Sequence, residues 1–366
     1  MVNILSPEKV NSGRQVELDV ARGLAIAFMV LVHIFELFTE YPFPNTLSTH
    51  IISFLGAPTA APVFMLLLGV GIAYSKRTSA PFLLKRGVII LILAYALGLC
   101  RDLIPSYISC LIKGEAEILR EGFLEMLGAD ILQFAGLAFL FFSLAVKLKL
   151  KPWQLVSLTL ACNTIGAILG ERSTGIFGLD AVAGLLWGTW EKAWFPFFSW
   201  IFFPVAGYIF GLFLIHCADK TSMYRRLLIL NVLGLIPLII LCYNYRIDFG
   251  AFGEQYQQHY YHQDLFGNIV FTVFSLFWIS LLYFVTLFFK SCRFTTLKRW
   301  SSNVTEIYVI HWIILGIIRQ LIAGPLDLWV IVLMSAAILI VSDLLAILYL
   351  KLKTGYSLNR QKSCSA

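Results

Sequence analysis

The sequence predicts an all-α, polytopic integral membrane protein of about ten transmembrane helices, with both termini in the cytoplasm. Three observations carry this reading. Hydrophobic residues make up 59% of the 366-residue chain and charged residues only 13%, about half the charged share of a soluble domain, and mean hydropathy is +0.82. Apolar stretches long enough to cross a bilayer core recur along the whole chain. Basic residues fall on alternate loops, as the positive-inside rule requires.

Taken in order, the polar segment 1–18 has no apolar h-region followed by a cleavage site, so it reads as a cytoplasmic N-terminal segment, with the first helix kept in the mature fold. Spans follow near 19–38, 52–75, 87–105, 127–146, 153–170, 194–217, 227–245, 266–289, 303–322 and 326–350. The cytoplasmic segments are then 1–18, 76–86, 147–151, 219–226, 290–299 and the tail 351–366. They hold 21 of the 28 Lys and Arg, with Arg22 counted at the helix entrance. The other seven, Arg101, Lys113, Arg120, Arg172, Lys192, Arg246 and Arg319, face outward beside most of the acidic residues. The net charge of +7 is therefore orientation and attraction to anionic lipid. It gives no support to a nucleic-acid role, for which a basic aromatic motif is missing.

The longer connections, 101–125, 171–191 and 246–264, all face outward. None is long enough for a separate soluble domain, so 1–366 reads as one transmembrane domain. The seven cysteines fall in no metal-ligand spacing and read as small hydrophobes in or beside the helices.

Ionisable groups inside a span are costly and point to function. Arg22 and His33 stand eleven residues apart on the first span, on nearly one helix face and roughly 16 Å apart along its axis. A cation near the headgroups and an imidazole near mid-membrane suit a long ligand with an anionic head and a reactive far end, the shape of a coenzyme A thioester. Glu36 falls three residues after His33, and Asp19 three before Arg22, so each is expected to meet its neighbour on the helix surface. A carboxylate beside an imidazole fixes its tautomer and raises its basicity. The plainer reading of His33 is a packing hydrogen bond between helices.

His50, just before the second span, reads as an interface histidine or a base. The run Gly56-Ala57-Pro58-Thr59-Ala60-Ala61-Pro62, with Gly69 and Gly71 beyond it, is rich in helix breakers and predicts a broken helix lining a tunnel. Span nine places Tyr308 and His311 on one face, after Asn303. Glu306 and Asp343 each need a cation, with Arg22 or Arg86 the candidates. Lys85 and Arg86 suit phosphates but equally serve topology. In the outer segment 254–264, Tyr256, Tyr260 and Tyr261 suit stacking on sugar rings or an interfacial aromatic belt. Trp187, Trp190, Trp194 and Trp200 are assigned to that belt. Asp130 and Gln133 open the fourth span from the outside.

Asp19-x-x-Arg22-Gly23-Leu24-Ala25 with His33 resembles the signature of the acyltransferase-3 family, and Tyr308 to Trp312 is similar to that family's late element. The chain also resembles the heparan-alpha-glucosaminide N-acetyltransferase family, including its bacterial members. That likeness rests on the Arg-Gly helix, His50, Pro62 to Gly71, Lys85-Arg86 and Leu132-Gln133, in the same order. The resemblance implies a transfer of acetyl or another acyl group from cytoplasmic acyl-CoA to a sugar amine or hydroxyl at the outer face. It matches the essential histidine to His33 in one family and to His50 in the other.

Residues and resemblance together give catalytic candidates His33, His50 and Glu36, with the membrane-embedded histidine as general base or as acyl carrier. Arg22, Lys85, Arg86, Asn303, Tyr308 and His311 are expected to bind acetyl-CoA, and Asp130, Gln133, Tyr260 and Tyr261 the acceptor. No metal is expected, since no metal-binding motif appears. The other partners are the lipid bilayer, in a bacterial inner (cytoplasmic) membrane, and a second copy of the chain as a homodimer. A secondary transporter or a lipid or glycan exporter is the competing class. It calls for paired interrupted helices in the two halves, and only the segment near Gly56 to Gly71 is of that kind.

Overall fold

The computed structural model describes residues 4–170, 172–189, 192–245, 260–322 and 324–364, with the side chains of the last helix described to 353. The regular structure of these residues is helical, apart from an isolated bridge between Leu5 and Cys217. Ten helical stretches among them are long and apolar enough to cross a membrane: Val16–Phe38, Leu47–Tyr74, Ala80–Lys113, Ala116–Lys147, Pro152–Leu169, Phe197–Ile215, Lys220–Asn244, Leu265–Phe288, Val304–Leu321 and Leu328–Lys353. Each coincides with a span expected from hydropathy, and the protein is an integral membrane protein.

The helices are α1 (Val16–Phe38), α2 (Leu47–Gly56), α3 (Ala61–Tyr74), α4 (Ala80–Gly98), α5 (Ile104–Lys113), α6 (Ala116–Met126), α7 (Ile131–Lys147), α8 (Pro152–Leu169) and α9 (Phe177–Trp187). They continue as α10 (Phe197–Trp200), α11 (Phe202–Ile215), α12 (Lys220–Asn244), α13 (Leu265–Phe288), α14 (Thr295–Ser302), α15 (Val304–Leu321) and α16 (Leu328–Cys364). A π-helical turn, Leu99–Leu103, joins α4 to α5.

The hub is α1, which packs on α2, α3 and α13 to α16. Its Ala21, Ala25, Ile26, Val30 and Ile34 are wholly buried, as expected of a helix covered on most sides. Near its start the buried Glu17 is satisfied from α12, by Lys220 Nζ at 2.7 Å and by the Tyr224 hydroxyl, which donates to it at 3.0 Å. The tightest crossing joins α3 to α11. A Cβ on Gly69 would strike the Pro204 carbonyl oxygen, and one on Gly207 the Leu66 carbonyl oxygen. Small residues let membrane helices approach backbone to backbone, where dispersion holds them in place of a hydrophobic drive.

Two spans depart from a straight helix, and both departures shape the interior. The second is broken at Ala57–Ala60, where Pro58 cannot donate to a helical ladder. The freed Ala57 carbonyl accepts a hydrogen bond from the Tyr260 hydroxyl at 3.0 Å, which meets the demand that backbone at membrane depth be satisfied. The third span passes through the π turn just before Pro105. Proline removes the bond to the carbonyl four residues back, that of Arg101, and Gly316 of α15 lies against that carbonyl so closely that a Cβ would not fit.

The segment 101–125, read from sequence as an outer loop, is therefore the end of a long span followed by the helix α6. Hydropathy windows stop at Arg101 and Asp102, whereas the chain folds through them because these charges find partners inside. The segment 171–191 holds α9. Residues 254–259, with Tyr256, and residue Trp190 lie outside the described residues.

Candidate active site

His33, in the second half of α1, lines a pocket of about 40 Å³ with Glu36, Asp130, Tyr260, Tyr261 and Tyr308. Gly56, Ala60, Ala61 and Phe64 also belong to its wall, so the helix break does line this pocket, as the helix breakers of the second span suggest. A larger cavity of about 410 Å³ is lined by Arg22, Ser75, Arg86, Ser301 and Ser302 among others. Phe64, Ile131 and Tyr308 line both spaces. The pair Arg22 and His33 thus belongs to two adjoining interior spaces that share walls.

At the Arg22 end, the guanidinium donates to the Leu67 carbonyl at 3.2 Å and to the Ser301 hydroxyl at 3.3 Å, and Ser301 donates to Asp19 at 2.8 Å. Asp19 takes its ion pair from Arg14, so the expected direct Asp19–Arg22 pairing is replaced by a bridge through Ser301. Sequence spacing saw neither Arg14 nor Ser301, because both contacts come from chain outside the helix. Arg86 stands over the Phe139 ring at 4.6 Å, with its guanidinium on the same cavity. Lys85 is exposed and Asn303, which joins α14 to α15, is half-buried, and neither lines these two spaces.

At the His33 end, the imidazole pairs across helices with another imidazole: His33 Nδ1 lies 3.2 Å from Nε2 of the fully buried His311. His311 Nδ1 lies 3.2 Å from the Ile307 carbonyl one turn back on α15. The Trp312 ring sits 4.3 Å from His33. Glu36 shares the pocket but makes no hydrogen bond to His33, which corrects the expected carboxylate–imidazole pair: the ring turns across to α15 and not along its own helix. Tyr261 and Glu36 line the same pocket.

A polar network flanks the His33 pocket on the side of Asp130. Asp130 caps α7 through its own-side Ile131 N–H at 2.6 Å, accepts from the Tyr308 hydroxyl at 3.0 Å and pairs with Arg101 at 2.8 Å. Arg101 also holds Asp102 at 2.9 Å and stacks over Trp312 at 4.4 Å. Sequence reasoning missed Arg101 by placing it in a loop. The signal was an Arg-Asp pair and a proline inside an apolar run that continues to Ile112. Beyond this network lies a second cavity of about 460 Å³, lined by Arg101, Glu121, Glu125, Lys192 and Trp312 among others.

The remaining expectations fall elsewhere. His50 is exposed and hydrogen-bonds Asn45 at 2.8 Å, away from these cavities. Gln133 is buried but lines neither space. His311 is fully buried and lines none of these three spaces. Asp343 pairs with Arg299 at 2.5 Å, not with Arg22 or Arg86, and Glu306 has no ion pair among the described residues. Trp200 is fully buried, its indole N–H donating to the Tyr261 carbonyl at 2.7 Å, so it belongs to the core and not to an interfacial belt. No group of three metal-ligating side chains comes together among the described residues.

Ten apolar helical stretches with cationic, imidazole and carboxylate groups around adjoining interior spaces define a polytopic membrane protein with a polar interior. A family model described as heparan-alpha-glucosaminide N-acetyltransferase, catalytic, matches residues 14–246, more than half of the chain, and the protein belongs to that family of membrane acetyltransferases. The match takes in Arg22, His33, Arg86, Arg101 and Asp130 and ends before α13. No curated protein and no solved structure matches the chain.

Proposed function

We propose that the protein is an acetyl-CoA-dependent acetyltransferase that modifies a sugar amine or hydroxyl on the far side of the membrane, with His33 as the base. The observation that carries this reading is the shared wall between the Arg22–Arg86 cavity and the His33 pocket. A cavity of about 410 Å³ lies within the usual range for small-ligand sites, and two guanidinium groups suit phosphate oxygens. The pocket behind it takes little more than an acetyl-sized group.

In the proposed reaction the acceptor nitrogen or oxygen attacks the thioester carbonyl carbon as its proton passes to His33. The new bond forms at that carbon, the carbon–sulfur bond breaks, and the leaving thiolate of CoA takes the proton from the imidazolium. Direct transfer suits the geometry, because His33 and the acceptor-side groups Glu36, Tyr260 and Tyr261 line one pocket. Arg22 and Arg86 lie on the donor side, which the distribution of basic residues makes cytoplasmic, with both termini there, in a bacterial inner membrane. Residues 1–366 form one catalytic unit in this reading. His50, Lys85 and Asn303 have no part in it.

The test is purified protein in detergent given labelled acetyl-CoA and a panel of amino sugars. Acceptor-dependent release of free CoA, lost in His33→Ala and kept in His50→Ala, is the expected result. Solute uptake into proteoliposomes without CoA turnover would assign the chain to transport instead.

A further inference from the structure

His311 is a buried titratable group in direct contact with His33 that the proposed reaction leaves without a task. It is fully buried, it is absent from the walls of the three spaces described above, and both of its ring nitrogens are engaged. Those two contacts decide the hydrogen positions. A carbonyl oxygen only accepts, so the ring nitrogen facing the Ile307 carbonyl, Nδ1, must carry hydrogen. A neutral imidazole has one N–H, so His311 Nε2 is left with a lone pair. That lone pair faces His33 Nδ1 at 3.2 Å, and a lone pair facing another ring nitrogen makes a hydrogen bond only if that nitrogen donates. His33 therefore holds its hydrogen on Nδ1.

The geometry points to His311 as a positioning residue that locks His33 in the Nδ1–H tautomer and leaves the bare lone pair of His33 Nε2 for the acceptor's proton. This rests on the reading of His33 as the base. The donor chain runs in one direction, from His33 Nδ1 to His311 Nε2 and from His311 Nδ1 to the Ile307 carbonyl, where it ends. A proton taken up at His33 Nε2 has no path beyond His311, since the Ile307 carbonyl cannot carry it further, so it stays on the His33–His311 pair until the leaving thiolate collects it from His33 Nε2. The arrangement stands in for the carboxylate that more often fixes a catalytic histidine. Glu36 cannot fill that role here, because it makes no hydrogen bond to the ring. Trp312, at 4.3 Å from His33, and the Arg101 guanidinium over Trp312 at 4.4 Å brace the pair from the outer side.

The lock costs His33 its preference, because a free neutral histidine side chain favours hydrogen on Nε2. Nitrogen-15 spectra of the detergent-solubilised protein, labelled at its six histidines, read this directly at a pH above the ordinary histidine range of about 6.5. Single-histidine variants assign the signals. His33 is expected with hydrogen on Nδ1 and a bare Nε2, and His33 in His311→Phe reverts toward Nε2–H. A wild-type spectrum with His33 hydrogen on Nε2, or no change of tautomer in His311→Phe, overturns the inference.

Turnover supplies the second reading. A glutamine carries an oxygen near the place of His311 Nε2 and keeps the acceptor for His33, so His311→Gln is expected to stay within about tenfold of the parent. His311→Phe is expected to lose on the order of 10² to 10⁴ in kcat, the range that general-base action contributes, with the donor KM kept. Equal losses in the two variants, with both folded by thermal melting, contradict the positioning role. If the spectra show the tautomer but His33→Ala turns over normally, the proposed function fails and the hydrogen-bond assignment stands.

Discussion

Arg101 Nη1 and Asp130 Oδ2 meet at 2.8 Å, tying the π turn after α4 to the N-cap of α7. Both side chains are largely buried, at 12% and 16% exposure, and Asp102 and Tyr308 complete the cluster. A polar group at this depth without a partner pays its full desolvation.

Removing one partner is therefore expected to cost more than the pair itself is worth. Arg101→Ala leaves Asp102 without its cation and should lower stability by about 3–5 kcal/mol. Asp130→Asn keeps an oxygen for the Ile131 N–H but sets an amide NH2 where Oδ2 accepts from Tyr308 and Arg101; Arg101 still holds Asp102, so this variant should cost less. Denaturant unfolding in detergent measures both. A loss under about 0.5 kcal/mol in Arg101→Ala, the size of an ordinary surface substitution, would show that water already fills the cluster.

The α3–α11 crossing gives a steric prediction with an internal control. Gly69→Ala and Gly207→Ala each push a methyl group into a backbone carbonyl of the facing helix, whereas a Cβ on Gly71 meets nothing within 4 Å. Overpacking against backbone should cost about 1–3 kcal/mol or more, and Gly71→Ala should be close to neutral. Equal melting temperatures for the three variants would refute the close approach.

Asp219 supplies a pH dependence outside the membrane. It caps α12 by accepting the Ser222 N–H at 3.0 Å. Hydrogen bonds from Ser222, side chain first, hold its carboxyl below the usual range. A carboxyl depressed in the folded state contributes stability above its unfolded pKa of about 3.9 and loses it as pH falls through the folded value. The melting temperature of the parent should thus exceed that of Asp219→Asn near neutrality, and the gap should close below about pH 4. A gap that is constant from pH 7 to pH 3 would mean that the charge contributes nothing.

The spans were legible because hydropathy is a property of each segment alone, and all ten fall where the sequence places them. The break at Ala57–Ala60 was legible for the same reason: Pro58 and the surrounding small residues announce it locally. Side-chain partners were not. Spacing along one helix put Glu36 beside His33 and Asp19 beside Arg22, yet His33 turned to α15 and Asp19 to Arg14 and Ser301. Within a bundle, contacts between helices offer better geometry than neighbours on one helix surface. Asp343 likewise found Arg299 on the short α14, an element hidden in what read as a basic cytoplasmic segment.

Arg101 shows the opposite failure. A charge inside an apolar run looks like the end of a span unless its counter-charges are seen, and Asp130 comes from another segment.

The central claim is that the Arg22–Arg86 cavity and the His33 pocket hold two ends of one acyl-CoA. Steady-state kinetics of CoA release, with donor and acceptor varied separately, tests it most directly in Arg86→Ala and His33→Ala. Arg86 contacts the protein through its stacking on Phe139 and is otherwise open to the cavity. Its loss is expected to raise the donor KM about 10- to 100-fold, the worth of one charged hydrogen bond, with kcat nearly kept. His33→Ala is expected to abolish kcat with donor binding intact. A donor KM unmoved by Arg86→Ala, or turnover that survives His33→Ala, would contradict the account.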